Sequence, residues 1–512
     1  MTSPDVDALE SLVNAVAQRF HAEGLTTERF DTHISTVLLA GAYAYKFKKP
    51  VDFGFLDFST LARRRHFCEL ELALNRRYAP DLYLDVLPVA AGGVLAGPAP
   101  ALEYALRMRR FATDDRLDRA LARGSVRSED ITAIAQLLAH THQRAGSAPI
   151  PGDFGAPPLV RSQLLTGLEV LAGAGADPTG LREVLAECCA ARVAALEDRV
   201  QSGHIRDCHG DLHLTNIVRH GGRWQPFDCI EFSDELRYID TASDLAFLLM
   251  DLDVHEHGIF ANQLLNDYLV ASGDYGLLSV LDLYLVYRTI VRAKVACLGP
   301  ADAEQTNRAS RHLELAQRYL AVRPAPALYI THGVSGSGKS WIATRIACAR
   351  GFVHLRSDHE RRRLAGLAAN AASHSAHDAG LYAAQQTDAT YERLAQLAGG
   401  ILRQGYSVIV DATFLKARQR DRFRELASAS GASFAILDCE APRAVLEARI
   451  LARAQEGRDP SEATPAVMAR QLETRQALSG YERRLSIPGA DLEAETAVMG
   501  LAGGDRLPRR LA

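Results

Sequence analysis

No Cys-x-x-Cys pair occurs in this chain. Its eight cysteines (Cys68, Cys188, Cys189, Cys208, Cys229, Cys297, Cys348 and Cys439) are scattered, and the adjacent Cys188 and Cys189 make a poor metal clamp. That spacing argues against a zinc site or a disulfide frame and fits reduced core thiols. No uninterrupted apolar run approaches membrane-spanning length, and the opening MTSPDVDALE is acidic, without the basic start of a secretory signal. A cytoplasmic protein with no membrane partner is expected. Net charge is only −4, which argues against a chain coated with nucleic acid. Repeats at solenoid periods are also missing. What remains is 512 residues, 47% hydrophobic and 23% charged, the mixture of a soluble protein with two or three domains.

The clearest boundary is Arg323-Pro324-Ala325-Pro326. A helical pattern over 308–322 precedes it and a short apolar strand, Leu328-Tyr329-Ile330, follows. Two prolines this close stop a helix and favour extended backbone, so 323–326 reads as a linker between domains 1–322 and 327–512. Strand-like runs over 36–47 and 82–89 flank a helix at 61–78, whereas 131–144 and 181–200 are helical. A small lobe over about 1–105 and a helical lobe over about 106–322 are expected, with Tyr104 to Met108 as their connection.

Past the linker stands GVSGSGKS: Gly333, Val334, Ser335, Gly336, Ser337, Gly338, Lys339 and Ser340. This is a complete G-x-x-x-x-G-K-[ST] loop between an apolar strand and a helix predicted to run from Lys339 to Gly351. Its glycines let successive N–H groups point at phosphate oxygens, and the helix N-terminus adds partial positive charge. Lys339 is expected to neutralise the outer phosphates and Ser340 to give its hydroxyl to Mg²⁺. Strand 407–410 closes on Asp411, a carboxylate placed to hold magnesium through water or to orient the reacting groups; strand 352–355 leads to Asp358, placed to accept a hydroxyl proton. Arg443, Arg449 and Arg453 share a predicted helix. Arg449 and Arg453 lie on one face of it, as a lid over phosphates or as a solvated surface.

These elements, with RSDHERRRL and VIVDATF, make 327–512 resemble the small P-loop kinases of the gluconate-kinase, zeta-toxin and polynucleotide-kinase type. The resemblance implies a parallel-sheet α/β domain, Asp358 as the proton acceptor and Arg361 as a contact to the transferred phosphate.

A second constellation precedes it. In HGDLHLTN, Asp211 and Asn216 stand five residues apart, the spacing of a kinase catalytic loop. An aspartate there can take the hydroxyl proton while the asparagine oxygen ligates Mg²⁺. The hairpin predicted over 217–227, turning at Gly221-Gly222, brings back Asp228 as a second metal ligand. This stretch resembles the aminoglycoside phosphotransferase and choline-kinase branch of the protein-kinase-like fold, which implies a bilobal α+β domain. It also implies a phosphate-gripping lysine, for which Lys46 is the candidate, and a carboxylate partner for it, Glu71 or alternatively Glu69. With KKPVDFGFLDFST and the fused P-loop region, the whole chain resembles a bacterial family that joins two such kinase domains. No G-x-G-x-x-G loop precedes Lys46; Gly41 alone stands between the strands.

Asp240 and Asp244 open a further helix; either can hold the catalytic loop through hydrogen bonds to its backbone, or both read simply as carboxylates at the helix N-terminus. Asp251, Asp253 and Glu256 suit a cationic acceptor, while Arg288, Arg292 and Lys294 suit an anionic one. The expected function is transfer of the γ-phosphoryl of ATP or GTP, with Mg²⁺, to a hydroxyl of a sugar, amino sugar or nucleotide sugar. Two alternatives stand beside it: a P-loop kinase regulated by a ligand-sensing N-terminal domain, and a kinase of nucleic-acid 5′-hydroxyls.

Overall fold

A computed structural model describes residues 4–54, 56–97, 100–149, 152–173, 180–297, 303–321, 324–367, 384–456 and 464–488. Residue 323 of the expected linker and 489–512 of the expected last domain lie outside them. By their internal contacts the residues form two compact units, 1–160 with 196–251, and 161–195 with 252–512.

In the first unit six antiparallel strands form one sheet: β1 (Thr27–Asp31), β2 (Ser35–Ala40), β3 (Tyr43–Lys48), β4 (Tyr83–Ala90), β5 (Val94–Leu95) and β6 (Glu103–Arg109), in the order β1-β2-β3-β6-β4-β5. Side chains alternate across a strand. In β3, Tyr45 and Phe47 therefore join Leu9, Val13, Val16 and Phe20 of the first helix (Pro4–Ala22) in one core, and Ala44 packs in another with Leu82, Tyr83, Leu106 and Met108. Lys46 and Lys48 share the face of Ala44. The expected lobe connection at 104–108 is instead the middle of β6, paired with β3 on one side and β4 on the other. Ala105 and Leu106 are buried on opposite faces of this central strand, so no alternation marks it, and the sheet runs on to Arg109.

Strands β7 (Ile205–Asp207) and β10 (Tyr238–Asp240) pair antiparallel, and β8 (Ile217–His220) and β9 (Arg223–Pro226) form the expected hairpin. The helical pattern over 181–200 resolves into two helices, Leu181–Ala191 and Val193–Gln201.

The second unit holds a parallel sheet: β11 (Ala327–His332), β12 (Val353–Arg356), β13 (Val408–Asp411), β14 (Ser433–Asp438) and β15 (Ser486–Pro488), ordered β12-β13-β11-β14-β15. Helices follow the strands in the manner of an α/β fold, the first being Lys339–Arg350, capped by Gly351. Helices Gly258–Ser272, Leu278–Cys297 and Ala303–Leu320 belong to this same unit by contact. No described helix is long and apolar enough to cross a membrane.

Candidate active sites

Strand β3 offers Lys46 to helix Leu61–Asn75, which starts at the Thr60 cap and buries Glu71. Lys46 Nζ donates to Glu71 Oε1 at 2.8 Å and to Asp228 Oδ1 at 2.7 Å. Glu69, the alternative, turns outward to Arg65. Lys48, two residues along the same strand face, donates to the other oxygen of Glu71 at 2.7 Å and also to Glu231. Neither Lys48 nor Glu231 was expected, although the period of a strand places Lys48 beside Lys46. Burial pushes the Lys46 ammonium down, but Asp228 and Glu71 outweigh it and raise it well above the usual range. Burial pushes Glu71 up, yet the two lysines hold it at about 2.

The HGDLHLTN loop is laced to the segment after β9. Phe227 N–H donates to Asn216 O at 2.9 Å and Ile230 N–H to His209 O at 3.0 Å. His209 Nε2 donates to Phe227 O at 2.9 Å and its Nδ1 accepts from Asp211 N at 3.3 Å, which fixes one neutral tautomer; burial lowers this histidine's pKa. Asn216 Nδ2 donates to Asp211 Oδ2 at 3.0 Å, so its amide nitrogen is engaged and its oxygen is the atom suited to a cation. Asp228 sits at φ 64, a left-handed conformation held by Tyr83, whose hydroxyl accepts from Asp228 N at 3.0 Å. Asn75 supports the next residue by accepting from Cys229 N at 3.0 Å.

Of the two roles open to Asp244, helix N-terminal carboxylate or support of the catalytic loop, it takes the second. Its two oxygens accept from His209 N at 3.1 Å and Gly210 N at 2.9 Å, and His142 Nε2 lies 3.0 Å away. It pins the loop from below. Asp240 pairs instead with Arg199. Asp251 is buried and accepts from Leu214 N at 2.8 Å, which corrects its expected role toward a cationic acceptor. Gly210 has φ 85, and a Cβ there would stand 2.8 Å from Leu236 O, so only glycine fits.

In the second unit the strand ends converge as a parallel sheet requires. Gly333 follows β11, Asp358 follows β12, and Asp411 closes β13 in register with Arg356. A cavity of about 530 Å³ is lined by Ser335, Gly336, Gly338, Lys339, Ser340, Asp358, Arg361, Asp411, Arg449 and Arg453. Both lid candidates therefore face it, while Arg443 pairs with Glu447 along its own helix. Lys339 is buried and donates to Val334 O at 2.7 Å; burial lowers its pKa against the opposing charge of Asp411. Gly336, at φ 84, lies so close to Leu446 O that a Cβ would meet it at 2.8 Å.

Burial pushes Asp411 up, but His354, at 3.4 Å, with Arg356 and Ser340 outweighs it and holds the carboxyl well below its ordinary range. Arg361 Nη1 donates to Asp358 Oδ1 at 3.1 Å, which joins the two residues expected at the acceptor. Sequence reasoning missed His354, Arg356 and Tyr391, all of which touch or line this region.

The donor set suits a triphosphate and a hard cation. Ser337 Oγ is buried inside the loop without a hydrogen-bond partner, as a phosphate ligand would be before its phosphate arrives. Ser340 and the ionised Asp411 are oxygen ligands of the kind Mg²⁺ takes; Asp228 and Asn216 offer the same chemistry in the first unit.

Residues 68–281 match the model described as "Phosphotransferase enzyme family", and residues 328–478 match that described as "AAA domain". The Mycobacterium tuberculosis H37Rv protein Rv2004c is 33% identical over 465 residues, covering 88% of this chain and 92% of that protein; Mb2027c of Mycobacterium bovis matches equally. Among solved structures, a choline/ethanolamine kinase family protein from Mesorhizobium loti is 14% identical, covering 60% of this chain and 93% of that one, at a TM-score of 0.39. A gluconokinase from Sinorhizobium meliloti 1021 is 23% identical, covering 35% and 96%, at a TM-score of 0.25. This chain belongs to the same family as the mycobacterial proteins, and it is a kinase in which an aminoglycoside-phosphotransferase-like domain precedes a P-loop kinase domain.

Proposed function

We propose that the chain is a phosphotransferase with two sites, each moving the γ-phosphoryl group of ATP or GTP to a hydroxyl of a small molecule, a sugar, amino sugar or nucleotide sugar. Residues 1–322 would carry the first chemistry and 327–512 the second. The observation that carries this reading is the single ammonium of Lys46 held between Glu71 and Asp228. A domain that only senses a ligand has no need of that triangle, so the geometry favours an active first site.

In that site Lys46 grips the nucleotide phosphates and Glu71 fixes the lysine. Asp211, oriented by Asn216 and the neutral His209, accepts the proton of the attacking hydroxyl. In the second, the loop 333–340 cradles the phosphates, Lys339 with Arg449 and Arg453 neutralises charge that grows on the transferred group, and Asp358 takes the proton while Arg361 holds the phosphoryl oxygens. Mg²⁺ would be held by Asn216 and Asp228 in one site and by Ser340 and Asp411 in the other. When bound, it neutralises phosphate charge.

The test is a screen with ATP and GTP against sugars, amino sugars, nucleosides and nucleic-acid ends, using wild type, Lys339→Ala and Asp211→Asn. Each variant should lose a different product. Wild-type activity unaffected by either substitution would overturn both site assignments. A product that appears only with nucleic-acid ends would replace the small-molecule acceptor.

A further inference from the structure

Strand β12 lies at one edge of the parallel sheet, with no described strand on its outer side. Helix Gly258–Ser272 fills that place with a side chain. Asn266 Nδ2 donates to Phe352 O at 3.0 Å and Asn266 Oδ1 accepts from His354 N at 2.7 Å. These are the two bonds a neighbouring strand would make. Asn266 is only 9% exposed, so losing them would leave buried backbone groups unpaired.

The same stretch of chain grips the region at further points. Asn262 donates to Cys348 O at 2.7 Å, Arg363 donates to Val270 O at 2.7 Å, and Tyr275 donates to Glu360 Oε1 at 3.3 Å. In each of these bonds one partner lies in the range that matches the phosphotransferase family, 68–281, and the other in the P-loop match, 328–478. The consequence reaches the cavity. His354 Nε2 is 3.4 Å from Asp411 Oδ2, and Arg356, at the end of the same strand, is 3.7 Å from it.

We infer that Asn266 is a positioning residue for the P-loop site, fixing β12 so that His354 and Arg356 meet Asp411 and set the carboxylate that faces the metal. This rests on the reading of Asp411 as a Mg²⁺ ligand. A residue from the helical segment of one family thus tunes the site of the other.

The chain has two tryptophans, and Trp341 lines the P-loop cavity whereas Trp224 lies in β9. A full-length Trp224→Phe protein therefore reports ATP binding at this cavity through Trp341 fluorescence. ATP is titrated with excess EDTA and again with Mg²⁺. Asn266→Ala should keep the metal-free affinity and lose about 10-fold of the tightening that Mg²⁺ gives, the usual effect of removing a group that orients a metal ligand. Asn266→Asp, which keeps the acceptor for His354 N but not the donor to Phe352 O, should lose less; it carries the same test if Asn266→Ala does not fold. A Mg²⁺ effect equal to the parent's, or an equal loss with and without Mg²⁺, would overturn the inference. Asp411→Asn separates the two readings. If it too leaves the Mg²⁺ effect intact, the ligand assignment itself falls; if it abolishes the effect while the Asn266 variants do not, only the positioning role falls.

Discussion

Lys46 Nζ lies 2.7 Å from Asp228 Oδ1 and 2.8 Å from Glu71 Oε1, so one ammonium ties a strand, a helix and the end of a hairpin together. The geometry gives that lysine an electrostatic task that a neutral side chain of similar length cannot perform. Lys46→Met, assayed in a Lys339→Ala background that silences the second site, should lower turnover about 10²–10³-fold. Steady-state kinetics with the first site's own acceptor would check it, and an unchanged kcat would remove Lys46 from the site.

Lys48 predicts the opposite split. It is 1% exposed and sits between Glu71 and Glu231. Lys48→Met leaves two buried carboxylates without their shared cation, which should cost about 3–5 kcal/mol of stability. Urea unfolding measures this. A variant as stable as wild type would mean that the network is not coupled to folding.

Glu71 sets an acid limit. Its folded pKa, about 2, lies below its ordinary value of 4.5, so the folded form binds this proton less readily than the unfolded chain does. Its contribution to stability is therefore complete above about pH 4.5 and is lost as pH falls toward 2. The stability gap between wild type and Glu71→Gln should be widest near neutral pH and narrow through that window. A gap that stays constant from pH 7 to about 3 would contradict the assignment.

Asp211→Asn and Asp358→Asn should each remove one phosphorylated product while nucleotide binding persists. The expected fall in kcat is about 10²–10⁴-fold, the range for loss of a positioned base. Equilibrium binding beside turnover distinguishes this from collapse of the site; a loss confined to nucleotide affinity would contradict the role.

Gly210→Ala should destabilise the first unit by about 1–3 kcal/mol or more, since it combines a left-handed backbone with a Cβ 2.8 Å from Leu236 O. Thermal melting would show it. A neutral outcome would mean that the loop can move away from Leu236.

The P-loop was legible because its chemistry is written in eight consecutive residues between a strand and a helix. The HGDLHLTN loop and its returning hairpin were legible for the same reason: turn, spacing and strand alternation are local. Glu71 needed the resemblance, and the structure then chose it over Glu69 by burial. Local pattern failed where partners are distant. Residues 104–108 looked like a connection because a short strand flanked by charge carries little periodic signal, and only its two neighbours make it central. For Asp244 the sequence left helix N-terminus and loop support side by side, because the backbone it holds lies more than thirty positions earlier. Nothing near Asn266 announces Phe352 or His354.

The seat of Asn266 against β12 also bears on how this protein can be cut. A fragment that starts at the linker would carry the whole P-loop motif and yet bare the Phe352 carbonyl and His354 amide along an open strand. Such an edge recruits other chains by strand addition. The fragment is expected to aggregate, and a soluble version should need the helices from Gly258 onward even though the linker prolines suggest a cleaner cut.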